Sequence, residues 1–481
     1  MANSKLTSWL VLLGIVGFIA FFLIPENSNG ENFPTHPWSH YHANPQRTGL
    51  SQFSVGDSFE ILWTFNVGAE ISGSPVVDNR GRVIFGARNA RLYCLSPNGE
   101  MLWTTPLSYT VWFSTPALDD SGNIYITDGR HLFKIDSGGR IIWSWPGHNN
   151  LSITHSPVIG KDGKIYFACY SDSLYALKPD GNLDWAEYLG RDVNSSPTVG
   201  HDGRIYVATT RGNGPWHLWA FNPNGTVAWV MALESGVEFA TPAVGPDSTI
   251  YVGAGRYLYA VRADGTLRWR DSLGATIQTS PAVANESTIY VNTGSLYCLD
   301  SRSGAHRWVL QNLVSYFSAP AVDAEGNIYV GSDRTFYIIS PEGRILCSRT
   351  IATSQSLFAS PAIGPNQRVY FGHMNGLFFA CQGYGSTAVR EGVASKRERE
   401  ILIIPNPSVN SAKILYRVSV NGKVSLTLYD KSGRLIANLI DKSLSPGFYS
   451  INFSPDNLPK GVYFLHFKNG IRRAIKEIIF R

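Results

Sequence analysis

Ten side chains between residues 112 and 316 are of the kinds that hold ligands or do chemistry: Trp112, Phe113, Arg130, His155, Asn194, Arg211, Trp216, Glu238, Gln278 and Tyr316. Aromatic faces stack on flat or sugar-like groups, and arginine forks grip carboxylate or sulfate with paired hydrogen bonds. Catalysis asks for more than this set offers. Glu238 is its single carboxylate, with no second acid for proton transfer and too few oxygens for calcium. His155 is a candidate base, but a solitary histidine is ordinarily structural. No catalytic residue and no metal ligand is assigned, and the set points to recognition of a carbohydrate, a polyanion or a protein.

What positions these residues is a repeat. Eight Ser-Pro-like pairs, at Ser74-Pro75, Thr115-Pro116, Ser156-Pro157, Ser196-Pro197, Thr241-Pro242, Ser280-Pro281, Ala319-Pro320 and Ser360-Pro361, place successive prolines 41, 41, 40, 45, 39, 39 and 41 residues apart. After each pair come strand-like runs such as Ile165-Tyr166-Phe167 and Leu174-Tyr175-Ala176-Leu177, separated by turns such as Asp162-Gly163 and Asp180-Gly181. β-Branched and aromatic runs bounded by Asp-Gly or Asn-Gly read as hairpins. A period near forty made only of strands predicts a β-propeller of four-stranded blades.

Two residues after each proline stands a large aliphatic (Val77, Leu118, Ile159, Val199, Val244, Val283, Val322, Ile363), and the residue between is small in most repeats. That pattern suits the innermost strand, where blades converge. The fourth strand carries Trp103, Trp143, Trp185, Trp229, Trp269 and Trp308, with Cys347 in the seventh unit; the eighth has no such strand behind it. Ile61-Leu62-Trp63, ahead of the first pair, is the missing one, so the N-terminal strand is expected to close the eighth blade and leave no open edge. The repeat aromatics read first as inter-blade packing. The residues ahead of each pair and the second-to-third-strand loops share one face, where Arg88, Arg91, Arg130, Arg211, Arg256 and Arg334 outnumber Asp128, Asp172 and Asp333. That face is expected to be basic and aromatic, and the opposite one acidic through turn chemistry.

Leu174-Tyr175-Ala176-Leu177-Lys178-Pro179-Asp180-Gly181 through Trp185 resembles the repeat of the pyrroloquinoline-quinone-like (PQQ-like) propeller family, and Pro37-Trp38-Ser39-His40-Tyr41-His42 through Arg47-Thr48-Gly49 is similar to the segment that precedes such propellers. The resemblance implies eight blades. Family members with a true quinone are dehydrogenases, which implies a vicinal disulfide, a catalytic Asp, and carboxylate and amide ligands for calcium around the central channel. No adjacent cysteine pair exists here, and the residues three before each proline include no carboxylate; both argue against PQQ and calcium as cofactors. Other members assemble outer-membrane proteins, a role that implies a lipid anchor, and no lipobox cysteine is present.

The ends differ from the middle. Residues 1–30 hold an apolar run from Trp9 to Ile24, expected to be a signal peptide or, alternatively, an inner-membrane anchor facing the periplasm and the chain's one membrane contact. Residues 31–58 are the lead-in, 59–385 the propeller, 386–400 a charged linker and 401–481 a small immunoglobulin-like β-sandwich, so the fold class is all-β. In the last segment Pro405-Asn406-Pro407, Leu428-Tyr429-Asp430 with Gly433-Arg434, Gly461-Val462-Tyr463-Phe464 and Lys476-Glu477-Ile478-Ile479 resemble, in order, the C-terminal sorting domain of type IX secretion substrates. That implies export and contact with secretion machinery; the alternative is an ordinary module of the flagellar hook-capping type. The chain's net +5 resides in that end, since residues 401–481 carry 12 basic against 4 acidic side chains while 59–385 carry 23 against 26. A propeller of slightly negative charge gives no argument for nucleic acid. The five cysteines show no paired spacing, and Cys94 and Cys298 sit in a slot that is alanine in other repeats, as small buried hydrophobes would. The expectation is an exported, non-catalytic binding protein, secreted or held at the cell surface, with the dehydrogenase and the assembly scaffold as rivals.

Overall fold

The computed structural model describes residues 36–147, 152–170, 172–190, 192–210, 215–313, 317–352, 356–385, 401–404, 412–418, 421–431, 434–445, 447–454, 458–469 and 472–480. The expected signal or anchor (1–30) and the linker (386–400) lie outside them. Among the described residues there is no α-helix, and the chain divides into two compact units at 388/389.

The first unit is a closed ring of eight four-stranded antiparallel sheets, running from 76–106 through 117–146, 158–188, 198–233, 243–272, 282–313 and 321–350 to 362–384. Each is a meander, as in Val76–Val77, Val83–Ala87, Arg91–Leu95 and Met101–Pro106. The eighth has only three strands of its own. Its fourth is Ser58–Asn66, antiparallel to Leu377–Tyr384 with Phe59 opposite Gly383 and Phe65 opposite Phe378, as the missing tryptophan strand predicted.

The Ser-Pro repeat proves to be a circular hydrogen-bond system. The hydroxyl of each pair accepts the backbone N–H of the pair before it: Ser74 to Thr115, Thr115 to Ser156, Ser156 to Ser196, Ser196 to Thr241 and Thr241 to Ser280, at 2.9–3.2 Å. Ala319 to Ser360 and Ser360 to Ser74, both 2.9 Å, close it. The one gap follows Ser280, because Ala319 has no hydroxyl; there Tyr41 reaches Ser280 Oγ at 3.1 Å. A short side-chain acceptor held next to a rigid proline is what satisfies these N–H groups on the crowded axis, where no strand partner is available.

At the rim of the ring the tryptophans lock neighbouring blades. Nε1 of Trp63, Trp103, Trp143, Trp185, Trp229, Trp269 and Trp308 donates to a turn carbonyl of the next blade (Pro97, Ser137, Pro179, Pro223, Ala263, Ser301 and Pro341) at 2.8–3.3 Å. Each indole lies on the turn glycine beside that carbonyl. A Cβ on Gly225, for instance, would stand 2.9 Å from the Trp185 ring, and its φ of +90° already suits glycine alone. Cys347 occupies the tryptophan slot of the seventh blade, opposite Ile338. There the joint to the eighth blade is packed by Phe336 on Phe371 (4.3 Å) and on Phe59 (5.4 Å). The cysteines are all free, and four of the five are buried.

The lead-in fills the centre of the ring. Residues 38–51 curl around the axis and offer carbonyls to the innermost strands: Trp38 to Val77, Ser39 to Leu118, Pro45 to Val199, Gln46 to Val244, Thr48 to Val283 and Gly49 to Val322. Trp38, His42 and Arg47 are fully buried there. Six of the eight large aliphatics two residues after a proline are therefore also points at which the plug is held, and Ile159 N–H meets His40 Nε2.

The second unit is two antiparallel sheets over a shared core. Ile401–Ile404, Ala412–Val418 and Gly447–Phe453 form one; Leu435–Leu444, Gly422–Asp430, Gly461–Asn469 and Arg472–Phe480 form the other. Alternate residues Val424, Leu426 and Leu428 meet Leu465, Phe467, Ile414 and Tyr416 in the core, the period of two that a half-buried strand requires.

Candidate functional site

The central channel is obstructed at both ends. From below it is filled by the lead-in. At the other end Phe113, Phe239, Phe317 and Phe358, each three residues before its proline, converge from four blades with ring centroids 4.6–5.9 Å apart. Phe239 is held in a left-handed backbone (φ 62°) to reach the cluster, a conformation that costs a bulky residue about 1–2 kcal/mol and that packing must sustain. Beneath the rings lies a cavity of about 50 Å³ lined by Tyr41, His155, Gln278 and the hydroxyls of Ser74, Ser156, Ser196, Thr241 and Ser360.

The ten candidate residues separate by depth. Trp112, 44% exposed, and Arg130 are open to solvent. Phe113 belongs to the aromatic cluster, and Gln278 and His155 line the cavity. His155 and Asn194 are buried, with Asn194 hydrogen-bonding the imidazole; burial pulls His155 down to about 4. Glu238 is half-buried, and its backbone bridges to that of Asn194. Trp216 does not project from the long loop. It opens the strand Trp216–Phe221, paired with Leu233 and packed over Gly236. Arg211 and Tyr316 lie outside the described residues. Of the eight described candidates, Trp112 and Arg130 stay at the surface, Phe113, His155 and Gln278 line the channel, and Asn194, Glu238 and Trp216 do neither.

On the outer face the arginines are engaged by their neighbours. Arg88 lies over the Trp112 ring, 4.1 Å from its centroid, and is ion-paired with Glu70. Arg130 lies 4.5 Å over Tyr109. Arg270 pairs with Glu234 while stacking, as Arg256 does, on Tyr257. Asp128 is fully buried, its carboxylate accepting the N–H groups of Ser108, Tyr109, Arg130 and His131 at 2.8–3.1 Å. It shapes the loop that presents Tyr109 and Arg130. On the opposite face Asp78, Asp119 and Asp136 bond their own turns, as turn chemistry alone would have them do. The net result is a set of cation–aromatic pairs spaced around one face, more neutral than the charge count alone implies.

The residues that the spacing argument missed are Tyr41, His42 and Arg47. Arg47 donates to the carbonyls of Tyr41, Pro157 and Pro197. His42 is flanked by the carbonyls of Arg47 (2.8 Å) and Pro320 (2.7 Å), yet burial still lowers it to about 4. The signal was available in composition: a stretch from Asn32 to Gly56 with one arginine, three histidines and no acid is a poor solvated linker.

Comparison with known proteins places this geometry. Residues 57–213, 132–241 and 217–433, well over half the chain, match the family described as outer membrane protein assembly factor BamB. Residues 402–481 match the family described as secretion system C-terminal sorting domain. Similar solved structures include the quinohemoprotein alcohol dehydrogenase of Comamonas testosteroni (12% identity, TM-score 0.59, covering 75% of this chain and 82% of that one). BamB of Moraxella catarrhalis is similar at 17% identity and TM-score 0.55, over 69% and 100% of the two chains. A europium-containing methanol dehydrogenase follows at 14% and 0.56, over 70% and 90%. At these identities the likeness is one of fold. No curated protein matches the sequence.

Proposed function

Since the chain belongs to the PQQ-like repeat family described as outer membrane protein assembly factor BamB and ends in a secretion-system sorting domain, we propose that it is an exported, non-catalytic recognition protein. The sorting domain supports secretion or display at the cell surface and an interaction with type IX secretion machinery, and lends no support to the inner-membrane alternative. The ring then acts outside the cell, and its exposed aromatic–basic face takes a carbohydrate or protein ligand.

The observation that carries the reading is how the channel mouth is filled. In place of carboxylates it presents four packed phenylalanines, above a cavity of about 50 Å³, whereas pockets for cofactor-sized ligands run to about 300–1,000 Å³. No cluster of three or more His, Cys, Asp or Glu side chains suits a metal ion among the described residues. These residues do not fit a quinone with calcium, and no redox step is drawn through them. What stays open to solvent is Trp112 beside Arg88, and Arg130 over Tyr109. Indole faces and guanidinium forks suit sugar rings carrying carboxylate or sulfate.

The test is an array of neutral, uronate-bearing and sulfated glycans probed with the parent chain and with Trp112→Ala/Arg130→Ala. Losing one stacking platform and one fork is expected to weaken the recognised glycan at least about tenfold, the equivalent of about 1.4 kcal/mol. Equal binding by the two proteins would end the proposal. The family's description favours a second reading, a part in assembling outer-membrane proteins; capture of nascent outer-membrane barrels by parent and double variant alike, with no glycan bound, would decide for it.

A further inference from the structure

Arg47 is a buried cation without a counter-ion. It lies fully buried on the axis, with one terminal nitrogen on the Tyr41 carbonyl (3.0 Å), the other on those of Pro157 and Pro197 (3.0 and 3.2 Å), and Nε without an acceptor. No carboxylate acts on it; the one anionic-going neighbour is the Tyr41 phenol, itself pushed up by burial. Even drawn down to about 9, the guanidinium is charged at neutral pH. A buried charge that stays unpaired is among the most costly arrangements in a protein interior.

Those two carbonyls adjoin the cavity, since Pro157 and Pro197 follow Ser156 and Ser196, two of its lining residues. Beside the four phenylalanine rings, the lining is polar and carries hydroxyl donors. The hydroxyls of Ser74, Ser156, Ser196 and Thr241 each accept a backbone N–H from the neighbouring blade, which leaves each with an O–H proton and, among the described residues, no protein acceptor for it. His155 Nε2 is buried in the same wall without a partner. No carboxylate lines the cavity, so hydroxyl oxygens that would otherwise serve a cation have only Arg47's positive field beneath them.

We propose that this cavity binds a small inorganic anion of the halide class, which serves as counter-ion to Arg47 and ties the blades together through their Ser-Pro hydroxyls. The space of about 50 Å³ is several times the roughly 10–15 Å³ that one water needs, enough for a monatomic ion with its waters and too little for a cofactor-sized anion. The anion faces His155 Nε2, the ring nitrogen left without a protein partner, while the Asn194 side chain hydrogen-bonds the imidazole. Its role is structural, and it is independent of the ligand proposed for the outer face.

The full chain, unfolded and refolded with bromide in place of chloride and then crystallised, is expected to show an anomalous peak at the bromine edge inside the cavity beside His155 Nε2. In solution its Tm is expected to rise with chloride against gluconate at constant ionic strength, as binding to the folded state alone requires. That rise should vanish in His155→Phe, which removes a donor and fills the space, and in Arg47→Met where that variant folds. A cavity holding water only in the bromide crystals, or a parent Tm indifferent to chloride, overturns the proposal.

Discussion

A chain that begins at Val67, without the plug and the closing strand, is expected to lose cooperative folding of the ring altogether. The eighth blade would keep three strands and expose the whole edge of Leu377–Tyr384, against which Ser58–Asn66 now pairs. Phe59 and the partly buried Trp63 and Phe65 leave the core, and with Trp63 goes its bond to the Pro97 carbonyl. The larger loss is on the axis. Six innermost-strand N–H groups, those of Val77, Leu118, Val199, Val244, Val283 and Val322, are satisfied only by carbonyls of the lead-in, and a buried donor left unmade costs about 1–3 kcal/mol. Against a net stability of about 5–15 kcal/mol for a folded domain, six such losses with the strand are decisive. Circular dichroism melting and limited proteolysis are the readouts. A truncated chain that melts in one sharp transition near the parent's Tm would contradict the closure described here.

The second large effect is acid sensitivity in a window unusual for carboxylates. Burial draws His42 and His155 down to about 4, in His42 against two flanking carbonyls that favour its protonated form, and His40 lies well below its ordinary value for the same reason, with Arg47 adding repulsion. Below pH 6.5 the unfolded chain binds protons at these positions and the folded chain does not, so stability falls as the pH is lowered from about 6.5 to about 4 and is fully present above that range. For His42 and His155 the loss is about 2 kcal/mol each by pH 5 and about 3 each by pH 4. Carboxylates whose turns hold them low, such as Asp136 and Asp180, act only below their ordinary range and do not confuse the window. Urea unfolding between pH 7.5 and 4.5 measures it, and His155→Phe should remove about 2 kcal/mol, roughly a third, of the pH 5 effect. Stability that is flat between pH 6.5 and 5 would show that these imidazoles are not buried neutral.

Much of this architecture was legible in the chain. The proline period and the alternating Ile-Tyr-Val runs specified the blades because strand, turn and spacing agreed. Trp63, stranded ahead of the first repeat, specified the closing strand because its six counterparts all end a blade. The β-rich end expected from residue 401 onward appears as two antiparallel sheets, in which inward Val424, Leu426 and Leu428 keep a strict period of two. The site was legible along the strand and not in radius. Spacing put His155, Asn194 and Gln278 on the same loops as Trp112, but whether a residue faces the axis or the rim depends on the convergence of eight blades, which no local pattern records. His155 and Asn194 consequently turned inward. Composition marked the plug as a poor linker but not as a core: residues 38–51 have no hydrophobic period, and their burial comes from backbone carbonyls meeting N–H groups that only the closed ring brings to one axis.

The central claim is that the propeller is carried out of the cell by its C-terminal unit and works there as a recognition surface. Fractionation of cells producing the full chain and a chain ending at Gly385, with the rim double variant as a folding control, tests it most directly. The account predicts the full chain and the double variant at the surface or in the medium, and the shortened chain folded but retained inside the cell envelope. Export of the shortened chain equal to that of the full one would contradict it.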